Sequence, residues 1–485
     1  YIAQNDPNPL RAYDQLQQIY TAQHRRKDVL QTLKKISTLS SLNSEGKLRV
    51  ADHFIRHQAP AQAETIYREL LSKNPHKAEI WFRLGSRILT RGDTLNAAKI
   101  FRKGLRIFNN RIDKGTAPIW GKLLLIYDSD TNLNSLLSET SLDTGFVKPL
   151  VDVFLGMARR SVLKEDPEKI LRLNQRAEYL LNFLIQTNPN HQEHLGKKAG
   201  LLLRTNRSKE ARAAFELAFQ QNFRAEYMLG IGHSYLAEEQ MEKALQIFQA
   251  LYRQAPVHSP LYPNIVFELG RAYTNTKRFS DARSIYKKAA KAYPNSYNYS
   301  YEIGRTYVFE ENWKNAIPIF ENLVEKTENT KKFFRQVLFE LGHCYERTSQ
   351  FDNGVEIFQR LLTLDPEDHK TLNYLGYMLA EKGVRLSEAE QLIERALKAE
   401  PENSAYLDSM GWVYYQQGRY TDAIKFLESA LEKEEEKLQG LNENIRFLFY
   451  EELVVIYNHA GDAARALGDL NKARQHWERA LEFDP

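Results

Sequence analysis

Cysteine is nearly missing: Cys344 is the sole thiol in 485 residues. No disulfide can close within the chain, and no cluster of thiolates can hold a metal. So little cysteine suits either redox compartment. Charge of one sign is lacking too, with 67 Lys and Arg against 62 Asp and Glu, a formal balance of +5. An excess this small over so long a chain makes no strong field, so nucleic acid is not an expected partner. No apolar run is long enough to span a bilayer. The chain opens at Tyr1 with neither a methionine nor a signal-peptide core, which reads as a processed or trimmed start, with any address or anchor lying upstream.

Signatures of catalysis are also missing. There is no phosphate-cradling glycine loop. His191-Gln-Glu-His194 is not the His-Glu-x-x-His metal motif, and it follows Pro189, where a solvated turn is expected. Cys344 reads as a small packing residue, and Glu310-Glu311 as a solvated helix end. The expectation is therefore not an enzyme, with no catalytic residue, no metal and no cofactor.

What the chain does have is a rhythm. Trp81, Leu84, Gly85, Gly92, Ala97, Phe101 and Leu105 fall opposite Leu407, Met410, Gly411, Gly418, Ala423, Leu427 and Leu431. The same frame returns around Gly232, Gly270, Gly304, Gly342, Gly376 and Gly461, with 34 residues from Gly270 to Gly304 and 35 from Gly376 to Gly411. Apolar residues at helical spacing make each unit two amphipathic helices. Glycine or alanine removes bulk where helix axes cross, and large residues such as Tyr273 and Phe248 fill the space between. Gly92, Gly383 and Gly418 mark the turn inside a unit, and Pro75, Pro189, Pro256, Pro294, Pro366 and Pro401 its end. No such unit buries its apolar face alone, so stability must come from stacking.

This pattern resembles the tetratricopeptide repeat, whose period is about 34 residues. The resemblance implies an all-α fold, a right-handed α-solenoid superhelix of about 13 helix-turn-helix repeats. Units begin near 10, 44, 78, 192, 225, 263, 297, 335, 369, 404 and 454, with two looser ones in 112–191. The expected organisation is N-terminal repeats over 1–111, degenerate repeats with an irregular joint over 112–191, a regular array over 192–437, and a connecting helix with a last repeat over 438–485. Asp128–Gly145, rich in Ser, Thr, Asn and Asp, reads as a loop or irregular joint. Glu432–Lys437 reads as the exposed end of an extended helix. The last unit stops at Pro485, which leaves open a truncated end or one that another protein covers.

In this family the first helices line a concave groove, which implies a partner-binding surface at Phe267, Arg271, Tyr301, Arg305, Phe309, Phe339, His343, Arg347, Tyr377, Trp412 and Tyr415. Aromatics and arginine are the side chains enriched at interface hot spots. The Lys and Asn clamp by which some members grip a C-terminal carboxylate is not matched, since Phe267, Tyr301 and Phe339 stand at its position. Arg271 and Arg305 could instead meet an acidic group.

Leu372–Leu386 and Tyr406–Trp412 followed by Gly418-Arg-Tyr420 are similar to the C-terminal repeats of tetratricopeptide lipoproteins of Gram-negative envelopes, a likeness covering about 369–485. It implies a periplasmic, outer-membrane-anchored scaffold or adaptor holding a protein or peptide, including a periplasmic protease or its substrates. The membrane would be reached only through a lipid anchor upstream of Tyr1. Alternatives left standing are a structural subunit of a secretion, motility or envelope-assembly machine, a scaffold for envelope polysaccharide, and a cytoplasmic location. Self-association through the degenerate units also stays open.

Overall fold

The computed structural model describes residues 9–39, 42–139, 144–162, 166–189, 191–327, 331–439 and 450–483. Among these residues every regular element is an α-helix, and there are 26 of them. In the first half they are α1 (Pro9–Ala22), α2 (Arg26–Ser37), α3 (Ser44–Arg56), α4 (Pro60–Lys73), α5 (Ala78–Thr90), α6 (Thr94–Ile107), α7 (Ala117–Tyr127), α8 (Asp130–Leu137), α9 (Thr144–Val162), α10 (Pro167–Thr187), α11 (Gln192–Arg204), α12 (Ser208–Gln221) and α13 (Ala225–Ala237). In the second they are α14 (Met241–Gln254), α15 (Tyr262–Asn275), α16 (Phe279–Ala292), α17 (Asn298–Phe309), α18 (Trp313–Thr327), α19 (Lys331–Arg347), α20 (Phe351–Leu364), α21 (His369–Glu381), α22 (Leu386–Ala399), α23 (Ser404–Gln416), α24 (Tyr420–Gln439), α25 (Tyr450–Leu467) and α26 (Leu470–Phe483). Helices pack on their chain neighbours, as an all-α solenoid requires. None of the described helices is long and apolar enough to cross a membrane.

The chain divides into two compact units, Tyr1–Gln240 and Met241–Pro485. The division falls inside the stretch 192–437 that the sequence reads as one regular array. In the first unit one apolar core runs from Val29 to Leu201. In the second, the cores centre on Phe320 and on the run from Phe334 to Ala480.

Local chemistry explains the helices. In α5, Ile80, Trp81, Leu84, Gly85 and Ile88 recur at three- and four-residue spacing and are buried together. Starts are fixed by side-chain caps: Asn43 accepts from the Gly46 amide at 2.8 Å, and Asn403 from the Ala405 and Tyr406 amides at 3.1 and 3.3 Å. Pairs then close through small residues. Ala282, Ala289, Ala389, Ala396, Ala423 and Ala430 are all fully buried. A Cβ placed on Gly411 would stand 2.5 Å from Leu427 Cγ and 3.2 Å from the Ala423 carbonyl oxygen, so α23 and α24 touch only because none is there. Turns inside the repeats pass through left-handed backbone. Gly383, Gly418 and Gly468 serve in the later repeats, whereas Lys277, Glu311 and Ser349 adopt φ of 57°, 57° and 60° in the earlier ones of the second unit.

Two expectations are corrected. The stretch read as a loop contains α8, because Leu133 and Leu136 are buried at helical spacing despite poor helix formers around them. Arg176 anchors this joint by donating to the Asp128 carbonyl at 2.8 Å and pairing with Asp130. Arg102, itself buried, grips Glu139 with two bonds of 2.8 and 2.7 Å. The charged run Glu432–Lys437 does extend α24, but it is not simply solvated. Glu434 is fully buried and accepts from Ser404 Oγ at 2.5 Å and Lys437 Nζ at 2.9 Å.

Candidate functional site

The first helices of the second unit, α15, α17, α19, α21, α23 and α25, carry the expected groove residues. Three positions before the packing glycine stand Phe267, Tyr301 and Phe339, all half-buried. Phe267 stacks on Tyr299 at 5.1 Å and lies 6.2 Å from Tyr286. Tyr301 meets Phe320 and Phe333 edge-on at 5.9 and 5.5 Å. Phe339 does the same with Phe358 and Tyr374, at 5.6 and 5.5 Å. These three rings thus wedge between their own repeat and the next, which leaves them only half exposed.

One position past the glycine the chemistry turns polar. Arg271 is exposed, with Glu268 3.7 Å away. Arg305 is shared by Glu340 at 3.5 Å and Glu302 at 3.9 Å, and lies over the exposed Phe309 ring at 5.0 Å. His343 sits edge-on between Trp313 and Tyr374 at 5.1 and 6.0 Å; burial, then the Arg347 charge, hold its pKa below the usual imidazole value. Arg347 is exposed and covers Trp313 at 5.5 Å. Farther along, Trp412 stacks between Tyr415 at 4.7 Å and His459 at 4.2 Å. His459 Nδ1 lies 2.9 Å from Asp408, and Tyr377 approaches the same imidazole at 6.5 Å. The structure therefore gathers Tyr301, Arg305 and Phe309 in one cluster, His343 and Arg347 in a second, and Tyr377, Trp412 and Tyr415 in a third.

The sequence reading passed over a row of carboxylates. Glu268, Glu302 and Glu340 each stand two residues before the packing glycine of consecutive repeats. Burial raises the pKa of Glu302, Glu340 and Glu346 above the usual carboxylate value. The Tyr301 hydroxyl donates to Glu340 at 3.2 Å and the Tyr374 hydroxyl to Glu346 at 3.4 Å. That thrice-repeated glutamate is the signal in the sequence. The consequence is that Arg271 and Arg305 already have acidic neighbours on their own helices.

Two cavities open on this face. One, about 330 Å³, is lined by His343, Glu346, Arg347, Tyr374, Tyr377, Glu381 and Lys382 among others. The other, about 390 Å³, lies between α21, α23 and the first turns of α25, and shares Tyr374 and Tyr377 with the first. Together they cross four successive first helices.

The remaining candidates fall elsewhere. His191 stands just before α11 and stacks on His194 at 3.9 Å, and His194 is buried within the helix's first turn. The pair is therefore not the solvated turn expected after Pro189. Burial, then His191 and Lys148, lower the His194 pKa to about 4. Among the described residues no group of three or more His, Cys, Asp or Glu side chains is placed to hold a metal. Cys344 is fully buried, and burial pushes its thiol up to about 12.

Antiparallel helix pairs locked through glycine and alanine, with polar first-helix faces left over, define a helical-repeat protein. Tetratricopeptide repeat models match residues 48–112, 229–297 and 378–436, and again 336–368 and 454–485, together more than half of the chain. The chain belongs to the tetratricopeptide repeat family, whose proteins generally act as scaffolds for protein–protein interaction. It is similar to a TPR repeat-containing protein of Pseudomonas aeruginosa, 42% identical over 73 residues, 15% of this chain and 12% of that one. It is also similar to anaphase-promoting complex subunit 7 of Dictyostelium discoideum, 26% identical over 124 residues, 25% of this chain and 21% of the relative. The matches thus span between an eighth and about a fifth of these relatives' length. Among solved structures it matches yeast Tom70 at 13% identity and TM-score 0.46, covering 96% of this chain and 98% of that one. A tetratricopeptide repeat protein of Parabacteroides merdae matches at 13% identity and TM-score 0.43, covering 54% of this chain and 93% of its own.

Proposed function

We propose that the chain is a non-catalytic scaffold that holds another protein, or an extended segment of one, against the first helices of 241–485. The observation that carries this reading is the pair of adjoining cavities, which crosses four first helices without interruption. A continuous trough of alternating aromatic, cationic and carboxylate groups suits an extended polypeptide, which offers apolar and hydrogen-bonding groups in turn. The finer reading, suggested by the resemblance read from the residues of 369–485, is an adaptor on the periplasmic side of an outer membrane, tethered through a lipid and presenting substrates to a processing protease.

The test is capture from native envelopes with the wild-type chain and with Phe309→Ala plus Arg347→Ala, two exposed positions whose loss leaves the repeat core intact. A stoichiometric protein partner should be retained by the wild type and lost from the double variant at unchanged thermal midpoint. Equal retention by both would remove the groove from the function. Capture of a protease or its substrates would support the adaptor role, and partners drawn only from the cytoplasm would defeat it.

A further inference from the structure

The cavity between α21, α23 and α25 has an unusual balance of donors and acceptors. Its carboxylates are Asp408, Glu451 and Glu452, and no Lys or Arg lines it. His459 holds Asp408, and Lys437 lies 3.7 Å from Glu452, but Glu451 has no ion-pair partner among the described residues. Three of the hydroxyl hydrogens are already committed. Ser409 donates to the Ala405 carbonyl at 2.8 Å, Ser404 to Glu434 at 2.5 Å, and Tyr374 to Glu346 at 3.4 Å. Burial, then the nearby Glu381 carboxylate, raises the pKa of the Tyr377 hydroxyl. What the committed hydroxyls still offer the cavity is lone pairs. Asn373 lines it with a side-chain amide whose buried Oδ1 finds no donor.

A lining whose charged groups are all carboxylates, with its serine hydroxyls and Tyr374 already committed, favours an occupant that only donates. Guanidinium has five N–H donors, no acceptor and a permanent charge, and it stacks on aromatic faces, which Tyr374 and Tyr377 supply. A carboxylate would bring lone pairs against lone pairs, and a neutral amide would bring an acceptor and no charge. The contrast with the whole chain sharpens the argument, because the net charge of the protein is +5 while this cavity carries only anionic groups. Its volume, about 390 Å³, lies in the range of ligand pockets.

We infer that this cavity seats an arginine side chain of a basic partner segment, so that the scaffold proposed above selects positively charged polypeptide at its C-terminal end. The inference rests on that scaffold reading and adds the chemistry of the partner.

The probe is a fluorescent eight-residue peptide alternating alanine and arginine, compared by anisotropy with its citrulline counterpart, which keeps the shape of arginine but is neutral. The arginine peptide should bind the full chain and the citrulline peptide should not. Glu451→Gln plus Glu452→Gln should weaken the arginine peptide about fivefold, the sum of two partly exposed charge interactions. Val455→Arg, at an exposed site in the cavity wall, should exclude it by placing a guanidinium in the mouth. Thermal midpoints report whether each variant folds. Equal binding of the two peptides, or binding indifferent to both variants, overturns the inference. If the envelope capture still depends on Phe309 and Arg347 in that case, only the arginine preference falls; if capture is indifferent too, the scaffold reading falls with it.

Discussion

The same glycine-to-alanine change should have opposite signs at two helical positions of this protein. In α7, a Cβ on Gly121 would meet nothing within 4 Å. Gly121→Ala there removes only the backbone penalty of a helical glycine and should stabilise the first unit by about 0.5–1 kcal/mol. In α23, a Cβ on Gly411 would stand 2.5 Å from Leu427 Cγ, 2.9 Å from Leu427 Cδ2 and 3.2 Å from a backbone oxygen of α24. The leucine contact is at the branch point of a fully buried side chain, and the oxygen belongs to a helix, so neither can swing aside. Overpacking of this kind costs about 1–3 kcal/mol, of which the gain in helix propensity returns somewhat less than 1. Gly411→Ala should therefore destabilise the second unit by about 1–2 kcal/mol. For a unit of this size, each kcal/mol moves the midpoint by about 2–4 °C. Differential scanning calorimetry measures the shift, and hydrogen exchange assigns it to α23–α24 or to α7. Because repeat arrays need not melt in one step, the exchange data decide which unit responded. A neutral or stabilising Gly411→Ala would refute the argument that axial closeness selects this glycine.

Three further predictions concern buried ionisable groups. The Arg102 guanidinium holds the Glu139 carboxyl below its usual range. Its contribution is thus complete above the unfolded pKa and lost as pH falls through the folded one, and Glu139→Gln should flatten the acid limb of a stability-versus-pH curve. His194 is displaced from 6.5 to about 4, so the unfolded chain protonates first and stability at neutral pH declines as pH drops across that window. His194→Leu should abolish that decline, and an unaltered profile would show the imidazole is not isolated from water. Cys344, with its thiol near 12 and no exposed surface, should resist a thiol reagent in the native protein and react only as the second unit opens. Fast labelling under native conditions would contradict its burial.

Much of the fold was legible because packing writes the same residue types at the same phase in every repeat. Expected starts at 44, 78, 192, 225, 369 and 404 coincide with the first residues of α3, α5, α11, α13, α21 and α23. The failure over 130–137 has a clear reason: Ser, Thr and Asn are weak helix formers, and the burial of Leu133 and Leu136 that overrides them is a tertiary effect. The site was less legible. Phe267, Tyr301 and Phe339 are visible as aromatics in frame, but how far each turns toward the neighbouring repeat depends on rings such as Tyr299 and Phe333 in the next unit. Glu302 and Glu340 read as ordinary surface charges until burial and a shared Arg305 distinguish them. His459 reaches Asp408 from 51 residues away, a meeting that no local pattern announces.

The hinges inside the repeats are not equal. Lys277, Glu311 and Ser349 each force a side-chain-bearing residue into a backbone shape that suits glycine, at about 1 kcal/mol apiece, whereas Gly383, Gly418 and Gly468 adopt theirs without that penalty. Elastic energy of this kind is thus held in three consecutive hairpins and again at Arg385 (φ 50°) beside Gly383, but not in the hairpins that turn at Gly418 and Gly468. Fraying of a hairpin in the stretch 262–399 relieves tension, while the same event at the Gly418 or Gly468 turn relieves none of this kind. That gradient gives the second unit a pliant segment followed by a firm one, so that a bound chain would meet a surface that yields before it meets one that holds.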